Sequence, residues 1–329
     1  MTNQKPYILV AGGGGYIGSH TVAALIASGM PVVVVDNFSK GHRQAVDSNI
    51  CEEADINDAG ALERIFKKYP IGAVMNFVSS IVVPESVEKP LMYYRNNVGT
   101  MMTLLETAVA AGVDHVIFSS SAAVYGTPRQ TPITEDADLM PINPYGKTKV
   151  MMESILQDAS HAYGITYAAL RYFNACGAST RLPIGEAHNP ETHLIPLILQ
   201  TATGKREAIS IFGDDYPTPD GTCIRDYVHV EDIADAHVAA LEYLRSGKTS
   251  EAFNLGNGNG FSVKEVIAAA KEITGQPIPI NIRPRRAGDP PVLVASAEKA
   301  KNLLHWTPRY TKIHDIIATA WEWEQKRKF

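Results

Sequence analysis

The sequence predicts an α/β protein built on a doubly wound, mostly parallel sheet, with a smaller α/β domain toward the C-terminus. Three observations carry this expectation. Strand-like and helix-like runs alternate through the first half of the 329 residues, the pattern of a parallel sheet covered on both faces. The first strand runs straight into a glycine-rich turn, Gly12-Gly13-Gly14-Gly15-Tyr16-Ile17-Gly18, that opens a helix. Finally, the glycine turn, Asp36, Ser121 and the position after Tyr172 all fall at the carboxyl ends of strands, where such sheets bind ligands.

Taken in order, Tyr7-Ile8-Leu9-Val10-Ala11 is a short apolar run of the kind that forms a buried strand. The glycines after it let the backbone turn sharply and approach a pyrophosphate at the N-terminus of a helix over Ser19–Ser28. The second strand, Val32–Asp36, ends in an acidic residue followed by Asn37. A carboxylate there accepts hydrogen bonds from both ribose hydroxyls of NAD and repels the extra phosphate of NADP, so NAD is the expected cofactor of a Rossmann-type sheet. Further strands are expected around Glu52–Ile56 and over Ala73–Phe77, His115–Ser119 and Thr166–Tyr172, with helices near Ala59–Lys68, Leu91–Ala111 and Tyr145–Tyr163.

After Asn174 the alternation weakens, and Gly177–Glu191 and Gly213–Thr222 are rich in Gly, Pro, Asp and Thr. A strand at Tyr227–His229 and a helix at Glu231–Leu244 lead to Glu251–Leu255, which is expected to return to the main sheet before Ser262–Thr274 closes a small domain. The expected division is residues 1–174, joined by about 226–257, for the dinucleotide, with 175–225 and 258–329 for the substrate.

The most informative stretch is Ser119-Ser120-Ser121-Ala122-Ala123-Val124-Tyr125-Gly126, followed by Tyr145-Gly146-Lys147-Thr148-Lys149. Tyr145 and Lys149 are four apart and share a helix face, and Pro144 suits the first turn of that helix. A phenol is a poor base near neutrality, with an ordinary pKa of about 10, but a neighbouring ammonium and a cationic nicotinamide favour the phenolate. Ser121 can share an alcohol proton with Tyr145. Together the three residues form a set for oxidising an alcohol beside a hydride acceptor.

Hydrophobic residues make up 45% and charged residues 20% of the chain, with a formal net charge of −5. That balance offers no electrostatic case for nucleic acid or an anionic membrane. Cys51, Cys176 and Cys223 are widely spaced and odd in number, which suggests neither a disulfide framework nor a thiolate metal site. The first residues show no signal-peptide pattern, and no apolar run approaches the roughly 20 residues that span a bilayer. A cytoplasmic protein without a bound metal is expected.

With these residues assembled, the chain resembles the extended short-chain dehydrogenase/reductases and, within them, the UDP-glucose 4-epimerase (UDP-galactose 4-epimerase) family. The resemblance runs over nearly the whole length. It is carried by Gly15-Tyr16-Ile17-Gly18-Ser19-His20, Pro90-Leu91-Met92-Tyr93-Tyr94-Arg95-Asn96-Asn97, Leu170-Arg171-Tyr172-Phe173-Asn174, the long segment Phe212–Thr222, and Arg225-Asp226-Tyr227-Val228-His229-Val230. It implies a tightly held NAD, reduced and reoxidised in each turnover, with Tyr145 taking the proton from the sugar 4-hydroxyl. It also implies that a 4-keto sugar swings about its diphosphate linkage and that the enzyme is a homodimer, pairing through the Leu91–Ala111 and Tyr145 helices.

By that resemblance Gly12, Gly15, Tyr16, Ile17, Gly18, Asp36, Asn37, Ser39, Asp55, Ile56, Phe77, Asn96, Ser119 and Phe173 line the NAD site, with Tyr145 and Lys149 reaching the nicotinamide ribose. Asn174, His193, Leu194, Ser210, Ile211, Phe212, Arg225, Arg286, Asp289 and Leu293 join Ser121 and Tyr145 in holding the UDP-sugar. Arginine suits a diphosphate because its planar fork binds two oxygens at once.

The chain departs from the family's pattern at several positions. Ala11 stands where a threonine is usual, Ile81 where many members carry a lysine near the nicotinamide, and Thr192-His193 where some have paired asparagines. Leu293 stands where some members carry a tyrosine that narrows the sugar pocket, so the resemblance implies room for N-acetylated sugars; a UDP-N-acetylhexosamine or a UDP-pentose is the alternative substrate.

Taken alone, Arg225 and Arg286 read as surface ion-pair partners, Asp214, Asp215 and Asp220 as a hydrophilic loop, and His188, His193 and His229 as hydrogen-bonding residues without metal spacing. Related 4,6-dehydratases place Asp-Glu where this chain has Ala122-Ala123, and two methyl groups cannot transfer the protons of a dehydration. A decarboxylase of the same superfamily and a non-catalytic NAD-binding protein remain as rival readings.

Overall fold

The computed structural model describes residues 6–286, 289–327 and 329. In chain order its strands are β1 (Tyr7–Ala11), β2 (Val32–Asp36), β3 (Cys51–Glu53), β4 (Ile71–Asn76), β5 (His115–Ser119), β6 (Thr166–Tyr172), β7 (Asn174–Cys176), β8 (Ile209–Phe212), β9 (Ile224–His229), β10 (Glu251–Leu255), β11 (Gly260–Ser262), β12 (Ile280–Arg283) and β13 (Val292–Leu293). Seven of them form one parallel sheet in the order β10-β6-β5-β4-β1-β2-β3.

The chain works outward from β1 through β2 to β3, then crosses back to β4 and builds the other half. Its direction reverses between β1 and β4, which opens a crevice beyond their carboxyl ends. Side chains alternate across the sheet. Ile8 and Val10 join the core beneath the Tyr16–Ala27 and Val230–Arg245 helices, while Leu9 and Ala11 join the opposite core under Ala59–Lys68 and Thr100–Ala110.

The second half makes a four-stranded group in which β9 pairs with β7, β11 and β13, and a separate β8–β12 pair. A second core lies here, between the Leu194–Ala202, Val263–Thr274 and Ile313–Lys326 helices. Ser262 and Glu265 close a reciprocal capping box at the start of the second of these helices.

Several boundaries differ from the sequence reading. Pairing on β3 stops at Glu53, because the chain turns at Asp55, whose Oδ1 accepts the Asn57 N–H at 2.8 Å. β4 ends at Asn76, whose Oδ1 accepts the Val78 N–H at 3.0 Å, so Phe77 falls just beyond the strand. The Tyr227–His229 strand begins earlier, at Ile224, and belongs to the second sheet; the return to the main sheet is made by the Val230–Arg245 helix and β10. The single helix expected over Leu91–Ala111 is Pro90–Tyr93 and Thr100–Ala110 joined by a π-helical turn, Tyr94–Gly99.

Candidate active site

The start of the Pro144–Tyr163 helix places the central pair. Asn143 caps it, with Oδ1 accepting the Gly146 N–H at 2.9 Å, and Pro144 fills the first turn. Tyr145 and Lys149 follow one turn apart. Gly146 lets the Ala122–Val124 turn lie directly on this helix, since a Cβ there would stand 2.5 Å from the Ala123 carbonyl oxygen. That close approach brings Ser121, two residues beyond β5, alongside Tyr145, and the Ser121 Oγ accepts the Ala123 N–H at 3.2 Å.

Lys149 is buried, 2% exposed. Its Nζ donates to the Ser119 carbonyl at 2.8 Å and lies 5.7 Å from the centre of the Tyr145 ring. Burial pushes the Tyr145 phenol above its ordinary range, with the neighbouring Ser121 hydroxyl opposing. Burial also pushes the Lys149 amine down to about 7, while Glu153, one turn further on, pulls it up. Burial disfavours both charged forms, and the amine is directed at a carbonyl.

The glycine turn forms a cradle that fits a dinucleotide. Gly15 caps the Tyr16–Ala27 helix without a side chain, leaving its first N–H groups for a ligand. A Cβ on Gly18 would stand 2.3 Å from the Gly12 carbonyl oxygen, so turn and helix approach at a distance that only glycine allows. Buried Asp36 accepts the Gly14 and Phe38 N–H groups, each at 2.8 Å. Asn37 donates to Asp55 at 3.0 Å and accepts the Ser39 N–H at 3.0 Å, so these four expected residues share one rim. Ile56 is buried in the core beneath them.

Ile17 packs on the opposite core, and Phe77 stacks 4.7 Å from His237. Asn96 Nδ2 donates to Ser80 Oγ at 3.3 Å. Two expected NAD residues are engaged within the protein: the Tyr16 hydroxyl donates to the Gly177 carbonyl at 2.6 Å, and the Ser119 hydroxyl pairs with Tyr172. Ile81 is 39% exposed and brings no cation to this rim.

On the other side of the crevice, Asn174 Nδ2 donates to the Asp226 carbonyl at 2.8 Å. Arg225 and Asp289 form an ion pair, and the Arg286 guanidinium lies 3.9 Å over the Phe212 ring. Ser210 and Ile211 alternate on β8, and Ile211 is buried in the second core, so it can offer a ligand only its main chain. His193 and Leu194 begin the Leu194–Ala202 helix. Leu293 sits opposite Arg225 in the β13–β9 register and, with Phe173, packs against Val124 and Tyr125 of the Ser121 turn.

Residues 8–256 match the NAD dependent epimerase/dehydratase family. The chain belongs to that family. It is 51% identical over 319 residues to the UDP-glucose 4-epimerase of Lacticaseibacillus casei, covering 97% of this chain and 96% of the relative. The crystal structure of UDP-glucose 4-epimerase from Brucella ovis in complex with NAD matches with a TM-score of 0.94 at 47% identity, over 96% of this chain and 98% of that one. UDP-glucose-4-epimerase from Stenotrophomonas maltophila, with bound NAD and formylated UDP-arabinopyranose, matches with a TM-score of 0.94 at 39% identity, over 97% and 98%.

Within this NAD dependent epimerase/dehydratase framework, several buried polar residues escaped the sequence reading. Asn97 accepts the Ser80 N–H at 2.7 Å and donates to Thr148 Oγ1 at 2.9 Å, which ties the loop after β4 to the Tyr145 helix. It sits in the π turn, where one extra residue per turn re-aims side chains. Asp226 accepts the N–H groups of Asn257, Gly258 and Ala295 at 2.7, 3.1 and 3.1 Å, and so joins two loops to β9. Glu153 and Arg171 form a buried ion pair at 2.6 Å. No spacing rule flags such residues, because their partners are far away in sequence.

His188 and His193, expected to be hydrogen-bonding residues, meet Glu186 and Glu191 in a cluster whose ligand-type atoms lie within 4.8 Å of one another. Glu186 Oε1 pairs with Nδ1 of both rings. Against the cost of burial, His193 and His188 hold the Glu186 carboxyl down at about 2, and Glu186 and Glu191 hold His188 up at about 10.

Proposed function

We propose that this protein interconverts UDP-glucose and UDP-galactose by transient oxidation at C4 of the sugar, using tightly bound NAD. The observation that carries the reading is the convergence of Ser121, Tyr145 and, one turn on, Lys149 at the carboxyl-end side of the sheet that also holds the glycine cradle. The relatives at about half identity over nearly the full length support it. When bound, NAD supplies the acceptor that takes the C4 hydride and returns it, together with a cationic ring.

In this reading the Tyr145 oxygen removes the 4-hydroxyl proton and gives it back, and Ser121 holds that hydroxyl and shares the proton. Lys149 orients the ribose of the cofactor and adds positive charge near the phenol. Asp36 accepts from the adenosine ribose, and the free N–H groups after Gly15 hold the pyrophosphate. Arg225 and Arg286 hold the substrate diphosphate by charge-assisted hydrogen bonds. Ala122 and Ala123 carry no acid or base, so the keto intermediate is returned to an alcohol instead of losing water.

We also propose a homodimer formed through the faces that expose Val87, Leu91, Met102 and Met151, of which Leu91 is 77% exposed. A cytoplasmic setting is supported by the free thiols of Cys51, Cys176 and Cys223. No described helix is long and apolar enough to cross a membrane.

The test is incubation of purified, NAD-loaded protein with UDP-galactose, followed by NMR of the sugar products. Formation of UDP-glucose is expected. Absence of conversion of UDP-galactose, UDP-N-acetylgalactosamine and UDP-arabinose alike overturns the proposal.

A further inference from the structure

The peptide that carries Ser121 is fastened to the Tyr145 helix at two points one turn apart. Lys149 Nζ binds the Ser119 carbonyl at 2.8 Å, and the next residue, Ser120, donates its hydroxyl to Glu153 Oε1. Glu153 is 8% exposed and Ser120 1% exposed. On its far side Glu153 is gripped by Arg171 from β6, through Nε at 3.0 Å and Nη2 at 2.6 Å. Arg171 is itself fixed by the Tyr125 hydroxyl at 2.9 Å, which donates to Asn254 at 2.6 Å. A carboxylate locked in this way cannot follow solvent or swing to another partner.

We propose that Glu153 is a positioning residue for the reaction: through Ser120 it pins the strand-end peptide that carries Ser121 against the Tyr145 helix. The proposal rests on the function proposed above. Because Arg171 of β6 holds the same carboxylate, the pin joins the end of β5, β6 and the Tyr145 helix at one buried point.

The test uses the NAD-loaded full chain and three variants, Glu153→Ala, Glu153→Gln and Ser120→Ala. The parent must first convert UDP-galactose, so an inactive parent counts against the proposed function and not against Glu153. Glu153→Ala removes the acceptor that Ser120 binds and is expected to lower kcat about tenfold or more with KM changed less than threefold, a split that places the loss in the transition state. Glu153→Gln keeps an acceptor for Ser120 and should restore part of the rate.

Breaking a buried ion pair can cost the fold, so Ser120→Ala is the variant that leaves the Glu153–Arg171 pair whole. It should melt within a few degrees of the parent and lose kcat severalfold with KM changed less than threefold. The proposal is overturned if Ser120→Ala turns over at the parental rate, or if Glu153→Gln is no faster than Glu153→Ala.

Discussion

Adding one methyl group at Gly18 tests the cradle most directly. The new Cβ would lie 2.3 Å from the Gly12 carbonyl oxygen, whereas ordinary contact begins at 3.4 Å, so turn and helix must part by about 1.1 Å, the difference of the two distances. The obstacle is backbone, and no side chain can rotate away. A main-chain N–H that holds a phosphate oxygen at about 2.9 Å would then be near 4 Å, outside hydrogen-bond range. Loss of one such charge-assisted bond costs about 1.5–3 kcal/mol, or roughly 10- to 150-fold in NAD affinity. Overpacking adds about 1–3 kcal/mol of destabilisation. Gly18→Ala should therefore purify with little NAD, measured as dinucleotide released on denaturation per mole of protein, and should need far more added NAD to recover activity. A variant that retains the parental NAD content and affinity would refute the reasoning, because the turn would then not be the pyrophosphate cradle.

Three further outcomes can be checked. Tyr145→Phe removes one hydroxyl beside Ser121, so kcat should fall about 10²- to 10⁴-fold, the worth of a positioned proton acceptor, while UDP-sugar affinity by calorimetry stays within a few-fold. Leu293→Tyr places a bulkier ring against Phe173 and the Ser121 turn, and should depress turnover of N-acetylated UDP-sugars while sparing UDP-galactose; an equal response of both means Leu293 does not set the pocket's width. The His188 imidazole is held up at about 10 by Glu186 and Glu191, against burial. Its stabilising effect is complete below the unfolded value of about 6.5 and is lost as pH rises toward 10. The parent's melting temperature should fall between pH 6.5 and 10 by more than that of His188→Asn, and parallel curves would count against the ion-pair cluster.

The main sheet was legible because its signals are local. β5, β6 and β10 fall where the sequence reading put them, and Pro144 announces the Tyr145 helix. The second half was harder to read: β7, β11 and β13 have two or three residues each and exist through pairing with β9, a long-range choice that no window of sequence contains. Tyr145, Lys149 and Ser121 stood out by residue type and spacing. Arg171, Glu153, Asn97 and Asp226 did not, because a buried polar residue declares itself only when its partners, 17 to 69 positions away, arrive beside it. Arg225 was legible as a cation, but its ion pair with Asp289 was not.

One residue, Phe173, separates the end of β6 in the first sheet from the start of β7 in the second. A single residue spans at most about 3.6 Å, so beside the Ser121–Tyr145 pair the two sheets are sewn together with one stitch. Asn174 then secures the seam to the Asp226 carbonyl. That short tether limits how far the two sheets can part at this end of the crevice. In the proposed reaction the sugar must show both faces to the same wall, so the tumbling belongs to the small molecule.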